Sequence, residues 1–256
     1  VKRALRIRMG DEPGHIFVEG ARLVEEAVAS QAAVEALIYT LEFSLEERGR
    51  ELLARLARNH CRGALVPANI MRAICDVETP QGVVALAAQP HFEIEDLFAG
   101  PAPLVVALDR LQDPGNVGTI VRASEAAGAS GVAASPGTAE PYGTKALRAS
   151  MGSAFRLPIA RRAKLSAVAA AGRERGARVW AADASGGVPY TEVDWREPAV
   201  VLVGNEGGGL APEAQALADE TVSIPLAAGV ESLNAAVATA VILFEAARQR
   251  SQSRER

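Results

Sequence analysis

Several short runs in the second part of the chain are apolar almost from end to end: Leu104–Leu108, Gly131–Ala134, and residues 179–182, 200–203 and 222–224. Between them lie helical patterns at residues 117–127, 144–154, 165–175, 212–218 and 232–250. A strand with no polar face has to be covered on both sides, and the intervening helices supply the cover. The expectation is an α/β unit built on a parallel sheet. Ligands of such sheets sit in the loops that follow the carboxyl ends of the strands.

The first part alternates differently. Residues 16–30, 45–59 and 70–75 read as helical and 36–39, 63–66 and 83–87 as extended, which describes a smaller α/β unit. Residues 88–103 hold Pro90, Gly100, Pro101 and Pro103, end one hydrophobic pattern and precede another. A boundary near residue 100 is expected, giving domains 1–99 and 100–256.

Composition narrows the function by exclusion. With 256 residues, 49% of them hydrophobic, the chain can bury a real core. No apolar run reaches the roughly 18 residues of a membrane span, and Lys2, Arg3, Arg6 and Arg8 precede no leader-like stretch. A cytoplasmic protein without membrane contact is expected. Cys61 and Cys75 are too few for a disulfide scaffold and have no CxxC companion, so no metal is expected either. His15, His60 and His91 all fall outside the strand-end loops, which leaves no support for a histidine base or ligand. Net charge is −4, unlike a polycation that coats nucleic acid. Locally, however, residues 145–178 carry nine basic groups against Glu174 alone, a candidate for phosphate contact.

Three strand-end loops are chemically unusual. The first runs Asp113-Pro114-Gly115-Asn116-Val117-Gly118, a turn signal with Asp113 suited to bond backbone amides, Gly115 free for positive φ and Asn116 suited to cap the next helix. That helix carries Arg122 as a lone charge among Ile120, Val121, Ala123, Ala126 and Ala127, so it calls for an anionic or carbonyl partner. The second loop, Gly204-Asn205-Glu206-Gly207-Gly208-Gly209, permits close approach of a ligand yet matches neither GxGxxG nor GxxxxGK[ST]. The third places Ser232-Leu233-Asn234 after Ile224-Pro225, where Ser232 or Asn234 suits a helix cap. One shared site is expected at the ends of the strands.

In order and separation, these loops resemble the three motifs of the SpoU/TrmH family of RNA 2′-O-ribose methyltransferases, over about residues 104–250. Residues 17–20 and 23–27, with Thr79-Pro80-Gln81-Gly82-Val83, resemble the substrate-binding domain that often precedes that catalytic domain. The resemblance implies a trefoil-knotted parallel-sheet domain behind a smaller N-terminal α/β domain. It implies S-adenosylmethionine as cofactor, held at Gly204, Ile224 and Leu233, with the turn after residues 179–182 at its border. Asn116, Arg122, Glu206, Ser232 and Asn234 then form the catalytic set, with Glu206 expected to neutralise or orient Arg122. Lys145, Arg148, Arg161 and Arg162 become the RNA contacts, and a homodimer is expected with its active site at the subunit interface. One departure is visible: Ala235-Ala236 stands where the family often has Val-Ser, removing a hydroxyl near the cofactor.

Ribosomal RNA is the expected substrate, with transfer RNA the alternative. A catalytically inactive knotted RNA-binding protein and a base-nitrogen methyltransferase are the rival readings. Against the first stand Asn116, Arg122, Glu206 and Asn234, all present; against the second, Arg122 and the Ser-Leu-Asn motif resemble the ribose branch.

Overall fold

The computed structural model describes residues 1–58 and 61–254. Asn59, at the end of the expected 45–59 helix, and His60 lie outside the described residues. By its internal contacts the chain divides into two units, Val1–Pro90 with Tyr142–Phe155, and His91–Pro141 with Arg156–Arg256. The sequence had suggested a single cut near residue 100; here residues 142–155 pack with the first unit.

The first unit begins with helix α1 (Lys2–Met9), strand β1 (His15–Glu19), α2 (Ala21–Ala29) and β2 (Val34–Tyr39). It continues through α3 (Leu41–Leu45), α4 (Glu47–Arg58), β3 (Arg62–Leu65), α5 (Ala68–Ile74) and β4 (Val83–Ala88). The four strands order as β1-β4-β2-β3, with β4 antiparallel to both neighbours and β3 parallel to β2. Phe17, Ile38, Met71, Ile74, Val84 and Leu86 form its core.

Two expectations fail in this unit. Residues 16–30 are not one helix: Ile16, Phe17 and Val18 pair with β4, and Gly20 at φ 96° turns the chain before α2 begins. An apolar run that short fits either state, and the partner strand decides it. The basic start is helix α1, whose Ala4 and Ile7 face inward. The expected 45–59 helix begins earlier and breaks at Glu46, after Thr40 accepts a hydrogen bond from Phe43 N to cap α3.

The second unit runs β5 (Leu104–Leu108), α6 (Pro114–Ala126) and β6 (Gly131–Ala134), and resumes after α7 (Thr144–Ser150) of the first unit. It then runs β7 (Ile159–Arg161), α8 (Leu165–Glu174), β8 (Arg178–Ala182), β9 (Val188–Pro189), β10 (Ala199–Val203), α9 (Pro212–Gln215), β11 (Glu220–Ser223) and α10 (Ala235–Arg254). Its seven strands are all parallel and order as β7-β6-β5-β10-β8-β11-β9. Every residue of β5 and β10 is buried, as the unbroken apolar runs require. Strands β7 and β9 were not expected, being three and two residues long.

The order places the site. The chain moves outward from β5 through β6 to β7, then crosses to β8, and β10 fills the gap between β5 and β8. The loops after β5 and β10 therefore lie side by side at the switch in direction, where parallel sheets open a crevice. Helix α10 packs on α6. Its distal half is held by Arg250, which donates to the carbonyls of Trp195, Ala102 and Glu197.

Candidate functional site

Asp113, not Asn116, is the cap of α6: its carboxylate accepts from Asn116 N at 3.0 Å, and the helix starts at Pro114. Proline at that position costs no hydrogen bond. Gly115 takes part in the first turn and does not adopt positive φ. Because Asp113 does the capping, the Asn116 carboxamide is released for another task.

That task is legible from the hydrogen bonds. Asn234 caps α10, its Oδ1 accepting from Ala236 N at 2.9 Å and Val237 N at 3.2 Å. With its oxygen so fixed, Asn234 must present Nδ2 outward, and Nδ2 donates to Asn116 Oδ1 at 3.1 Å. Asn116 in turn donates Nδ2 to Glu206 Oε1 at 2.8 Å. Three side chains, one from the first turn of α6 and two from strand-end loops, thus form one row, with donor and acceptor set at every link by the helix cap at one end. Burial works against ionisation of Glu206. Hydrogen bonds from Asn116 and from the backbone N–H groups of Glu206 itself, Gln112 and Asp113 outweigh it and hold the carboxyl below the usual range. Glu206 is an acceptor in this row and a poor base.

Arg122 does not join them. It is exposed and makes no hydrogen bond or ion pair among the described residues, while Val117, Ile120, Val121 and Ser124 take the buried side of α6. The expected pairing of Glu206 with Arg122 is absent, because the Glu206 oxygens are engaged by Asn116 and Gln112 N.

The glycine loop is closed on itself. Asn205 and Gly209 exchange two backbone hydrogen bonds of 2.9 Å, and Gly207 N reaches Asn205 Oδ1 at 2.9 Å. A Cβ on Gly204 would come within 2.1 Å of the Gly209 carbonyl carbon, so this glycine is demanded by the loop's own backbone. Two further contacts tie the loop to β5: Asn205 Nδ2 donates to Arg110 O at 2.8 Å, and Ala211 N donates to Asp109 Oδ2 at 2.8 Å. Asp109 is 5% exposed. Sequence reasoning missed it, although a carboxylate directly after an all-apolar strand was the available signal.

Beside this row lies a cleft of about 450 Å³. Gly204, Ile224 and Leu233 line it, as do Glu206, Ser232 and Asn234; Asn116 stands behind Glu206 and Asn234. The turn after β8 contributes Asp183 and Ala184. Leu226, Thr239 and Ile242 were not anticipated; the latter two sit on α10, where only the helix's packing reveals which face meets the cleft. The volume suits a nucleoside-sized ligand, the walls are largely aliphatic, and Asp183 and Glu206 favour positive charge on it.

The basic stretch looks different once folded. Arg148 pairs with Glu19, Arg156 with Glu125, Arg161 with Glu140, Arg173 with Asp219 and Arg178 with Glu220. Lys145 is engaged as well. Arg162 is exposed, at φ 50°, and takes no partner among the described residues. Lys145 and Arg148 belong to the first unit, Arg161 and Arg162 to the second.

Comparison with known proteins is consistent across the chain. Residues 103–244 match the model of the SpoU rRNA methylase family and residues 4–85 that of the MRM3-like substrate binding domain. A Mycobacterium tuberculosis protein named as an uncharacterized tRNA/rRNA methyltransferase is 38% identical over 97% of this chain and 78% of its own. A Streptomyces viridochromogenes 23S rRNA (uridine(2479)-2′-O)-methyltransferase is 34% identical over 94% of this chain and 85% of its own. The crystal structure of an AdoMet-bound rRNA methyltransferase from Sinorhizobium meliloti superposes with a TM-score of 0.85 at 33% identity, covering 96% of this chain and 93% of that one.

Proposed function

Since the chain belongs to the SpoU rRNA methylase family and is an S-adenosylmethionine-dependent RNA 2′-O-ribose methyltransferase, we propose that it acts on 23S ribosomal RNA as a homodimer. The likeness to a 23S rRNA enzyme over 94% of this chain and 85% of that one supports the substrate. Residues 1–99 serve RNA binding and 100–256 methyl transfer, with 142–155 added to the first task because they pack with that unit.

The observation that carries the assignment of the site is the row Asn234–Asn116–Glu206 standing against the 450 Å³ cleft. Gly204, Ile224 and Leu233 would hold the cofactor there; the aliphatic walls suit an adenine, and Asp183 and Glu206 suit a cationic group. Bound in the cleft, S-adenosylmethionine supplies a methyl group already activated by its sulfonium. The protein's own residues therefore have to place the ribose, while the 2′-hydroxyl proton passes to water as the oxygen takes the methyl group. Asn116, immobilised from both sides, orients the ribose, and Ser232 lines the cleft. Arg122 holds the adjacent phosphate and steadies negative charge as it develops on the 2′-oxygen. It is not the base, because a guanidinium keeps its proton in proteins.

A trefoil knot in the second unit is part of this proposal, supported by the late strand β10 lying between β5 and β8 and by α10 returning onto α6. The dimer is supported by α10 itself. Ala236, Ile242, Leu243 and Ala246 bury one side, yet Val237 and Phe244 stand about half exposed on another. A helix apolar on two faces needs a second partner.

Incubating the protein with S-adenosylmethionine and a 23S rRNA transcript, then mapping the product by nucleoside mass spectrometry, tests the activity. A single 2′-O-methylated nucleoside is expected. Methyl groups on a base, or none together with no cofactor uptake by calorimetry, would overturn the reading.

A further inference from the structure

The first unit contains a cleft of its own, about 320 Å³, lined entirely by that unit's residues. Leu23, Val77 and Met151 give it an apolar side. At its base Glu19 is 5% exposed and accepts from Asp76 N at 3.1 Å, Val77 N at 3.2 Å and Arg148 Nη1 at 3.2 Å. The one buried carboxylate is thus neutralised and fully engaged.

Besides the half-buried Glu26 carboxylate, which is engaged, the cleft presents donors to a ligand. Gln81 Oε1 accepts from Ala21 N at 2.8 Å, which fixes the oxygen and leaves Nε2 with no partner among the described residues. The Thr79 hydroxyl is likewise uncommitted, and exposed Arg22 stands at the rim. Residues 142–155 contribute Arg148 and Met151 to the cleft. Met151 ends α7 in the left-handed region at φ 50°, and a Cβ on Gly152 would come within 2.7 Å of Glu26 Cβ.

An apolar slot with spare donors and a cation at its rim suits a flat ligand with carbonyl acceptors on its edge and a phosphate beside it. We propose that this cleft takes one unstacked base of the RNA, a uracil or guanine, at a distance in sequence from the methylated ribose. The proposal rests on the reading of RNA as substrate and adds a specificity site to it.

The test uses the full chain and an unmodified 23S rRNA transcript. Thr79→Trp fills the cleft from its exposed rim, and Gln81→Glu keeps the acceptor for Ala21 N while replacing the donor with a charge. Each is expected to weaken binding of the transcript about tenfold, the size of losing one hydrogen bond to the base, with melting temperature and S-adenosylmethionine affinity unchanged. Ultraviolet cross-linking of the parent protein should join RNA to peptides containing Val77, Thr79 or Met151. Parent-like affinity in both variants, or cross-links confined to other peptides, overturns the base-binding cleft. Neither result touches methyl transfer by the parent, which is scored separately by product mass spectrometry.

Discussion

The row Asn234–Asn116–Glu206 works because each amide has only one orientation that satisfies its neighbours. Replacing Asn116 by Asp sets a carboxylate opposite Glu206, where Nδ2 now donates across 2.8 Å. Asn116→Asp should slow methyl transfer by about 10- to 100-fold, the rate equivalent of a lost hydrogen bond to a charged group. Adding Glu206→Gln to Asn116→Asp should recover part of that loss, since a glutamine amide can donate to the new carboxylate. Single-turnover rates at saturating cofactor check this; the absence of any recovery would show that the two side chains do not act as a pair. Bulky replacement of Gly204, in contrast, reports on the loop and not on the cofactor, because Gly209 and Leu210 backbone already occupy the space.

At the scale of elements, α10 does three things at once. Its first residues carry the Asn234 cap, its inner face closes the cleft through Thr239 and Ile242, and its outer face presents Val237 and Phe244. Phe244→Asp should convert a dimer to a monomer in analytical ultracentrifugation, since burying an unpaired charge costs far more than an aromatic contact returns. Unchanged sedimentation would remove α10 from the interface. The cap should survive the substitution, as Phe244 lies well beyond the first turn.

For the whole molecule, several ion-paired carboxylates tie stability to pH. Arg48 holds Glu25 below the usual carboxylate range, Arg196 does so for Asp194 and Arg248 for Glu245. Burial opposes ionisation of Asp219, but Val179 N–H and Arg173 outweigh it. In each case the folded value lies below the unfolded one. The stabilisation is complete above the unfolded carboxylate range and is lost as pH falls through the folded values. Melting temperature should therefore be nearly flat from about pH 8 to 5 and fall steeply below about pH 4. Scanning fluorimetry across that range decides it; a decline already complete by about pH 5 would mean that groups other than these carboxylates govern the fold.

Some of this was legible in the residues alone. Strand β5 spans Leu104–Leu108 and β6 Gly131–Ala134, as read from the chain, because a strand buried on both faces tolerates no polar residue and so declares its own ends. The three polar loops after β5, β10 and β11 were visible for the same reason: they are where the apolar runs stop. Short or ambiguous segments were not, since β1 needs β4, and β7 and β9 need the sheet edge, to exist as strands at all. The ion pairs of the basic stretch were not visible either, because they form across distances the chain order hides; Arg148 meets Glu19 from 129 positions away. Nor does local pattern say that β10 inserts between β5 and β8, or that Asp113 takes the cap and frees Asn116. Periodicity and turn chemistry act over a few residues, so they determine what each segment can be. Which side chains meet is settled only when the sheet order brings distant segments together, and the site is made of those meetings.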